Sequence, residues 1–392
     1  MTPDRDYPRP SIAFVVAAPA TAEAFLAPHI NRLAPDYKIT VVGKGISKST
    51  KLDARVILKD IDIERPISPI ADLKASFELF KLFRQERFEL VQSMTPKAGL
   101  LTAIAGFLAR VPFRIHWFTG QVWATKSGIL RQLLKNLDRV TARLSTHLLV
   151  DSHSQMQYLS DNHISRDHKM RVLANGSTCG VDLAEVEANQ GYPLKIRTSL
   201  GIDSKAVVIL FVGRLNREKG ITELLEAFAA LNTEVETHLI LAGEDEEGLE
   251  KSVNTASLEN AFVHFVGYQH QVFEFMREAD IFILPSHREG LPISLLEAGA
   301  HGLAIIGTRI NGIIDVIQDD NLGLLVTPQD TAELRAAIEF LISNPMYRTQ
   351  LGASIQDLIS ADFAQQDVVV AYRDFLFEVC ESIRGKSVNE NT

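Results

Sequence analysis

The sequence predicts an α/β protein built from two doubly wound domains, each a parallel sheet with helices on both faces. Three observations lead to this prediction: the length of 392 residues, the ordinary soluble composition, and the order of the secondary-structure patterns. The length favours two domains of roughly 150–200 residues each. Short β-rich runs alternate with amphipathic helical stretches, which is the pattern of parallel sheets, and this pattern restarts halfway along the chain.

The predicted elements follow that alternation. Buried strands are expected at 12–17, 38–42, 88–92, 114–118 and 147–150 in the front half, with helices at 73–84, 98–108 and 129–144. In the back half, strands are expected at 207–212, 238–242, 262–266, 281–285, 304–307 and 323–326, with helices near 222–231, 271–278, 292–301 and 331–342.

The domain boundary is expected near 188–198, where polar residues cluster with Gly191 and Pro193. This places the first domain at 1–190 and the second at 191–361. A final helical pattern at 362–385 follows the second sheet, and we expect it to pack back on the first domain.

Composition restricts the cellular context. Residues 1–190 have a formal charge of +6 and the remainder −15, within a net charge of −9, so the two halves favour different partners. The two cysteines form neither a disulfide framework nor a metal cluster, which indicates a reducing compartment. The longest apolar run, 99–109, is far shorter than the roughly 20 residues that span a bilayer. We therefore expect a cytoplasmic protein with no nucleic-acid partner.

The loop at 213–220 has the residues expected of a phosphate site. It follows a buried strand, and ligands of open α/β sheets bind at the carboxyl ends of strands. Gly213 lets the backbone approach a ligand closely, and Arg214 and Lys219 supply a planar fork and a compact charge for phosphate. Taken alone, the same loop is also typical of a solvated strand-to-helix turn.

A second segment reads Glu289-Gly-Leu-Pro-Ile-Ser-Leu-Leu-Glu297. Pro292 fits the first position of a helix, because its missing N–H would be unpaired there. Glu289 can accept hydrogen bonds from sugar hydroxyls and Glu297 from a ribose, although a helix cap and a solvated acid would use the same residues. The helix start would offer three free backbone N–H groups to an anion, those of Ile293, Ser294 and Leu295.

These two motifs together resemble the retaining GT-B glycosyltransferases of family 4, over roughly residues 207–342. The resemblance implies two Rossmann-like domains with a cleft between them and no metal or other cofactor. By position, Arg214 and Lys219 would bind the diphosphate of a nucleotide-sugar donor. Glu289 would contact the transferred sugar and Glu297 the ribose.

The front half resembles transferases of bacterial capsule, O-antigen and related lipid-linked oligosaccharides. The segment Arg114-Ile-His-Trp-Phe-Thr-Gly-Gln-Val-Trp123 carries this likeness, and it makes His116 our candidate near the transferred sugar; a core histidine is the alternative. Thr95 and Lys97 end another strand and are candidates for acceptor binding. The region 17–22 lacks the glycines that many family members carry after the first strand.

The helix predicted at 129–144 also indicates a membrane surface. Its cations recur every four residues beside an apolar stripe, and a basic amphipathic helix can lie on an anionic leaflet. A core helix with a solvated cationic face is the alternative. The cations are Arg131, Lys135, Arg139 and Arg143.

The sequence therefore predicts a retaining glycosyltransferase, peripheral on the inner face of the cytoplasmic membrane. Its donor would be a nucleoside-diphosphate sugar, and family frequency favours UDP as the nucleotide. Its acceptor would be a lipid-diphosphate-linked saccharide. Two alternatives stay open: another GT-B enzyme, such as a UDP-sugar 2-epimerase or a phosphorylase, and a non-catalytic partner of a transferase complex. The motif Asp60-Ile-Asp62 has a metal-binding form but lies outside the donor half, so no metal site is expected.

Overall fold

The computed structural model describes residues 9–64, 68–252 and 262–389. The chain divides into two compact units, one made of Met1–Cys179 with Gln366–Thr392 and the other of Gly180–Gln365. Each unit contains one sheet in which every described strand pair is parallel. The predicted α/β class with two Rossmann-like sheets is confirmed.

The first unit has seven strands within the described residues, in the spatial order β3-β2-β1-β4-β5-β6-β7. They are β1 (Ser11–Val15), β2 (Lys38–Gly43), β3 (Ile57–Asp60), β4 (Leu90–Met94), β5 (Phe113–Phe118), β6 (His147–Val150) and β7 (Met170–Val172). The helices are α1 (Pro19–Thr21), α2 (Ala27–Leu33), α3 (Pro69–Glu86), α4 (Pro96–Leu108), α5 (Gly128–Leu144) and α6 (His153–Asp161), and a π-helical turn at Ala22–Leu26 joins the first two.

The order of the first sheet reverses at β1, so its helices cover opposite faces. Helix α2 packs on one face, and α3, α4 and α5 lie side by side on the other. The central strands are buried on both sides, as the apolar run from Ile12 to Val16 predicts. Proline starts α3 and α4, where its missing N–H needs no partner.

The second unit has six strands within the described residues, in the order β10-β9-β8-β11-β12-β13. They are β8 (Val207–Val212), β9 (Thr237–Ala242), β10 (Phe262–Gly267), β11 (Ile281–Leu284), β12 (Ala304–Thr308) and β13 (Leu324–Val326). The helices are α7 (Leu183–Asn189), α8 (Ile196–Leu200), α9 (Ile221–Ala229), α10 (Leu249–Ser252), α11 (Val272–Met276), α12 (Ile293–Ala300), α13 (Thr331–Ser343) and α14 (Pro345–Asp362).

Two edge strands of the first sheet were not predicted. β3 and β7 are four and three residues long, and both are only partly buried. Neither strand contains a continuous apolar run, which is the signal from which the other strands were predicted.

The domain boundary lies about ten residues before the predicted 188–198. The second unit begins at Gly180, because Val181 and Val186 of the next segment pack in its core. The polar residues near Gly191 therefore lie in a surface turn of the second unit rather than between the two units.

A long last helix, α15 (Gln365–Asn389), follows the second sheet. From Gln366 onward the chain belongs to the first unit, so the second unit ends at Gln365 rather than 361. The helix adds Tyr372, Phe375, Leu376 and Val379 to the core on the α2 face of the first sheet.

Candidate functional site

The order of the second sheet brings three loops side by side at its carboxyl edge. β8 lies between β9 and β11, so the loop that carries Arg214 and Lys219 is flanked by the loops after those two strands. The loop after β11 carries Glu289, and the loop after β9 carries an acidic run, Glu244-Asp-Glu-Glu247. This edge is where parallel α/β sheets bind ligands.

Lys219 and Glu289 are in direct contact. Lys219 Nζ lies 2.5 Å from Glu289 Oε1, and both side chains are largely buried. The same oxygen accepts a hydrogen bond of 2.7 Å from the hydroxyl of Ser286, whose carbonyl in turn accepts from Thr308 Oγ1. Both contacts use Oε1, so Oε2 is the atom with which Glu289 can meet a ligand hydroxyl.

Further contacts fasten the 213–220 loop to the loop after β11. Arg288 donates two hydrogen bonds to Glu218 Oε2, at 3.1 and 2.7 Å, and the N–H of His287 donates to the Glu218 carbonyl at 2.9 Å. Gly220 has φ +72°, and a Cβ there would lie 2.0 Å from the carbonyl oxygen of Pro285. The two motifs that the sequence singled out are therefore one contiguous structure.

Arg214 is held on the other side by Glu246. Its Nη1 lies 3.0 and 3.1 Å from the two carboxylate oxygens, and Asn216 Nδ2 donates to the same carboxylate at 2.8 Å. Asn216 also caps the short turn that carries Lys219, because its Oδ1 accepts from the Lys219 N–H at 3.1 Å. Asn216 thus links the positions of the two cations.

Glu246 was missed from the sequence, as were Ser286 and Thr308. No spacing rule pairs Glu246 with Arg214 across 32 positions. The signal that could have found it is topological: β9 neighbours β8, so an acid after β9 lies beside a cation after β8.

The start of α12 differs from the prediction in two respects. Pro292 is the residue before the helix, with extended backbone (φ −75°, ψ 118°), and not the first helical residue. Its carbonyl accepts a hydrogen bond from the N–H of Leu295 at 3.2 Å, so the prediction that this N–H is free is wrong. The N–H groups of Ile293 and Ser294 have no acceptor among the described residues and stay available for an anion.

Glu297 lies one turn further along α12 and is partly buried. Desolvation, reinforced by the negative charge of Glu185, raises the pKa of Glu297 to about 8. No hydrogen bond reaches its carboxyl group within the described part of the chain. A carboxyl group without a protein partner can bond to a hydroxyl of a bound ligand, which fits the role expected at a ribose.

Together these groups can hold a phosphorylated sugar. Arg214 and Lys219 supply positive charge, the first turn of α12 supplies two N–H donors and the positive end of the helix dipole, and Glu289 and Glu297 supply acceptors for hydroxyls. Gly213 is extended at φ +155°, and a Cβ there would meet the ring of Phe211 at 3.1 Å. No three His, Cys, Asp or Glu side chains among the described residues are arranged to hold a metal ion.

In the first unit, Thr95 lies at the carboxyl end of β4 with an unusual backbone. Its φ of +78° and ψ of 144° fall in a region that residues other than glycine rarely adopt, and its hydroxyl is buried with no partner in the described structure. Such conformations are concentrated at functional sites. Lys97, two residues on, forms an ion pair of 2.5 Å with Asp72.

His116 lies in the core of the first unit. It is 2% exposed, its Nδ1 is 2.9 Å from Ser93 Oγ, and its ring packs edge-on against Phe118. Gly99 of α4 packs directly on this ring, since a Cβ there would lie 2.3 Å from it. Burial lowers the pKa of His116 to about 3, so the imidazole is neutral. This placement matches the alternative of a core histidine, and the role beside a transferred sugar stays a prediction.

The cations of α5 do not form one solvated stripe. Lys135 donates to Asn162 at 2.8 Å, and Arg139 donates to the backbone carbonyls of Asn162 and His163 at 3.0 Å each. Arg131 and Lys135 also lie over the ring of Trp123. Arg131 and Arg143 are exposed, and Lys135 and Arg139 are half-exposed. Two of the four cations therefore have partners within the first unit, and the role of the four at a membrane stays a prediction.

Comparison with known proteins supplies the family. The model for "Glycosyl transferase 4-like domain" matches residues 17–176, and the model for "Glycosyl transferases group 1" matches residues 194–357. Together the two models cover most of the chain and correspond to its two sheets.

Curated relatives match most of the chain at modest identity. The capsular polysaccharide biosynthesis glycosyltransferase CapM of Staphylococcus aureus is 26% identical over 81% of this chain and 85% of its own length. The UDP-Gal:alpha-D-GlcNAc-diphosphoundecaprenol alpha-1,3-galactosyltransferase of Escherichia coli is 28% identical over 68% of this chain and 69% of its own length.

Among solved structures, Anabaena HepE in complex with UDP and glucose superposes with a TM-score of 0.73. The match covers 94% of this chain and 99% of HepE at 18% sequence identity. At that identity the likeness supports the fold alone.

Proposed function

Because the chain belongs to family 4 of the GT-B glycosyltransferases, we propose that it moves a sugar from a UDP-sugar to a lipid-diphosphate-linked saccharide during bacterial surface-glycan synthesis. The observation that carries the proposal is the contact between Lys219 and Glu289. It joins the cation that we assign to the diphosphate to the carboxylate that we assign to the transferred sugar.

In this proposal, Arg214, Lys219 and the first turn of α12 stabilise the negative charge that grows on the departing diphosphate. Groups already fixed in place before the reaction contribute most here, because they need no reorganisation as the bond breaks. Glu246 and Glu289 hold the two cations through hydrogen bonds. These cations would do the work that a metal ion does in other transferases, so we expect activity without one.

The carboxylates select the rest of the donor. Glu289 Oε2 would accept from a hydroxyl of the transferred sugar, and Glu297 would bond to the ribose. UDP as the nucleotide is supported by the E. coli relative, whose name specifies UDP-Gal.

The acceptor hydroxyl would be presented by the first unit, with Thr95 as the residue we assign to it. A diphosphoundecaprenol saccharide is named for the E. coli relative, and capsular polysaccharide synthesis for CapM. We propose retention of the anomeric configuration: the acceptor attacks the face from which the diphosphate leaves, and a diphosphate oxygen takes its proton.

We also propose that the protein acts at the cytoplasmic face of the membrane as a peripheral enzyme. Within the described residues, no helix combines the length and the hydropathy that crossing a bilayer needs. A lipid-linked acceptor would therefore have to be reached from the surface of the membrane.

The test is nucleotide release from UDP-, GDP- and ADP-sugars with lipid-diphosphate acceptors, in buffer containing EDTA. Lys219→Ala and Glu289→Ala should each lower kcat/KM by about 10²-fold or more, as does loss of one preorganised donor at a charged transition state. Arg335→Ala, which removes an exposed cation of the same unit, is the matched control. Near-full activity in both site variants would remove the assignment.

The same assay separates the alternatives. Interconversion of the nucleotide sugar without an acceptor would indicate a UDP-sugar 2-epimerase. Tight donor binding with turnover only beside a second protein would indicate a non-catalytic partner of a transferase complex.

A further inference from the structure

Large apolar side chains are exposed on the first halves of two helices of the first unit. Their exposed fractions range from 47% to 90%, although leucine, isoleucine and phenylalanine are normally the most buried residue types. We call this set the apolar rim: Ile70, Leu73 and Phe77 on α3, and Ile129, Leu130 and Leu133 on α5.

The topology places both halves of the apolar rim at one edge of the sheet. Each helix follows a parallel strand, so the first turns of α3 and α5 lie at the carboxyl edge, as does the start of α4. Helix α4 contacts α3 on one side and α5 on the other. Thr95 precedes α4, so the residue assigned to the acceptor lies at the edge of the sheet that carries the apolar rim.

The charge around the apolar rim favours an anionic partner. Lys97, Lys126 and Arg131 lie in or just before the first turns of α4 and α5, and the first acid after residue 97 is Asp138. Asp138 is buried and accepts a hydrogen bond from Trp123 Nε1 at 2.7 Å. On α3, Asp72 is paired with Lys97 and Glu78 lies 3.9 Å from Lys74, so the acids nearest the apolar rim have cationic partners.

We propose that the apolar rim inserts into the surface of an anionic lipid bilayer, with Lys74, Lys126 and Arg131 beside the headgroups. Apolar side chains that enter the boundary between headgroups and acyl chains, flanked by cations, are the features that bind peripheral proteins to such membranes. The inference deepens the proposed function and rests on it for the lipid-linked acceptor, because it identifies the surface through which that acceptor reaches Thr95. Contact is made by two helices, and Lys135 and Arg139 are not part of it.

The first experiment is co-sedimentation of the full chain with vesicles of phosphatidylglycerol and phosphatidylethanolamine, compared with phosphatidylcholine alone. The double variants Leu73→Asp/Phe77→Asp and Ile129→Asp/Leu133→Asp should each lower the partition coefficient about tenfold or more. Two controls should bind as the wild type: Leu108→Asp, at the opposite end of α4, and Met346→Asp on α14, both of which replace exposed apolar residues.

A second experiment uses conservative variants, so that loss of folding cannot imitate loss of binding. Trp117 and Trp123 are fully buried, which leaves their fluorescence insensitive to added lipid. Phe77→Trp and Ile129→Trp should shift to shorter wavelength with anionic vesicles and be quenched by brominated acyl chains. Leu108→Trp should show neither change.

The outcomes separate the two proposals. Wild-type binding in both double variants, or no quenching at positions 77 and 129, would overturn the proposal that the apolar rim inserts into the bilayer. Self-association in solution that these variants abolish without changing vesicle binding would overturn it too, because the surface would then pair with a second copy. If the protein binds vesicles through the apolar rim but transfers no sugar from any donor, the proposed function is contradicted and the membrane contact is not.

Discussion

Glu246, which lies outside both sequence motifs, positions the guanidinium of Arg214. Glu246 binds it with both carboxylate oxygens and binds Asn216, which caps the turn of Lys219. A long flexible side chain already held by a carboxylate loses less conformational freedom when phosphate binds. Glu246 is therefore a positioning residue in the proposed donor site, acting through Arg214 and Asn216.

Replacing Glu246 should separate orientation from charge. We expect Glu246→Ala to lower kcat about tenfold, because Arg214 and Asn216 both lose their partner. Glu246→Gln keeps hydrogen-bonding atoms and should retain most of kcat, with UDP bound at least as tightly since one negative charge is gone. Steady-state kinetics and calorimetric titration with UDP measure both. Identical effects of the two substitutions would rule out the orienting role.

The raised pKa of Glu297 predicts that the stability of the protein depends on pH. Its pKa is raised from 4.5 to about 8, so between these values the folded protein keeps a proton that the unfolded chain releases. Stability contributed by this group is present below pH 4.5 and falls as pH rises to 8. The variant Glu297→Gln cannot ionise at this position. Its free energy of unfolding should therefore rise relative to the wild type by about 1 kcal/mol for each pH unit between 4.5 and 8. Urea unfolding at pH 5, 6.5 and 8 tests this, and pH-independent differences would contradict it.

At the scale of elements, the site depends on loops that touch backbone to backbone. A Cβ at Gly243 would lie 1.7 Å from the carbonyl oxygen of Gly213, and one at Gly312 would lie 1.8 Å from that of Gly290. These contacts, with Gly220 against Pro285, fix the loops after β8, β9, β11 and β12 relative to one another. The spacing of Lys219, Glu289 and α12 follows from them.

Substitutions at two glycines with nearly equal backbone angles can separate the cost of the close contact from the cost of the backbone conformation. Gly201 has φ +69° and open space around it, whereas Gly220 has φ +72° and the Pro285 carbonyl in contact. Gly201→Ala should destabilise the protein by about 1 kcal/mol, the cost of the left-handed conformation. Gly220→Ala should cost at least about 2 kcal/mol and also lower transfer, because the loop has to move. Equal losses in urea unfolding would refute the close-contact explanation.

At the scale of the whole molecule, the chain leaves the first unit after Cys179 and returns at Gln366. The return helix is anchored by Tyr372, whose hydroxyl donates to Gln92 Oε1 at 2.5 Å in a fully buried site. The ring also lies against His29 and Trp117. A segment almost two hundred residues away in sequence thus completes the core on one face of the first sheet.

Removing one hydroxyl tests that anchor. Tyr372→Phe leaves the buried Gln92 amide without its partner and should destabilise the first unit by about 1–3 kcal/mol. Tyr347→Phe is the matched control, since its hydroxyl bonds to Asp320 at an exposed position, and it should change stability by less than about 0.5 kcal/mol. UDP binding to the second unit should be unchanged in both. A loss for Tyr372→Phe no larger than for the control would contradict the anchoring role.

Local patterns in the sequence were sufficient for the two-sheet class, because a buried parallel strand is a continuous apolar run that needs no partner to be identified. The buried strands of the second sheet were predicted for that reason, and its partly exposed edge strands β10 and β13 were predicted because most of their residues are apolar. The two motifs that form the site were also evident locally, since Gly213 and Pro292 mark the turns that present Arg214, Lys219 and Glu289.

Only the tertiary structure decided which side chains meet. The structure pairs Glu246 with Arg214 and buries His116 under Gly99. It also bonds Lys135 and Arg139 to the turn at 162–163, and each of these contacts joins residues distant in sequence. Periodicity predicted that α5 has an apolar side and a cationic side, but not which of them solvent would reach. Burial and partnership depend on what packs opposite a residue, and a linear pattern specifies only the residue itself.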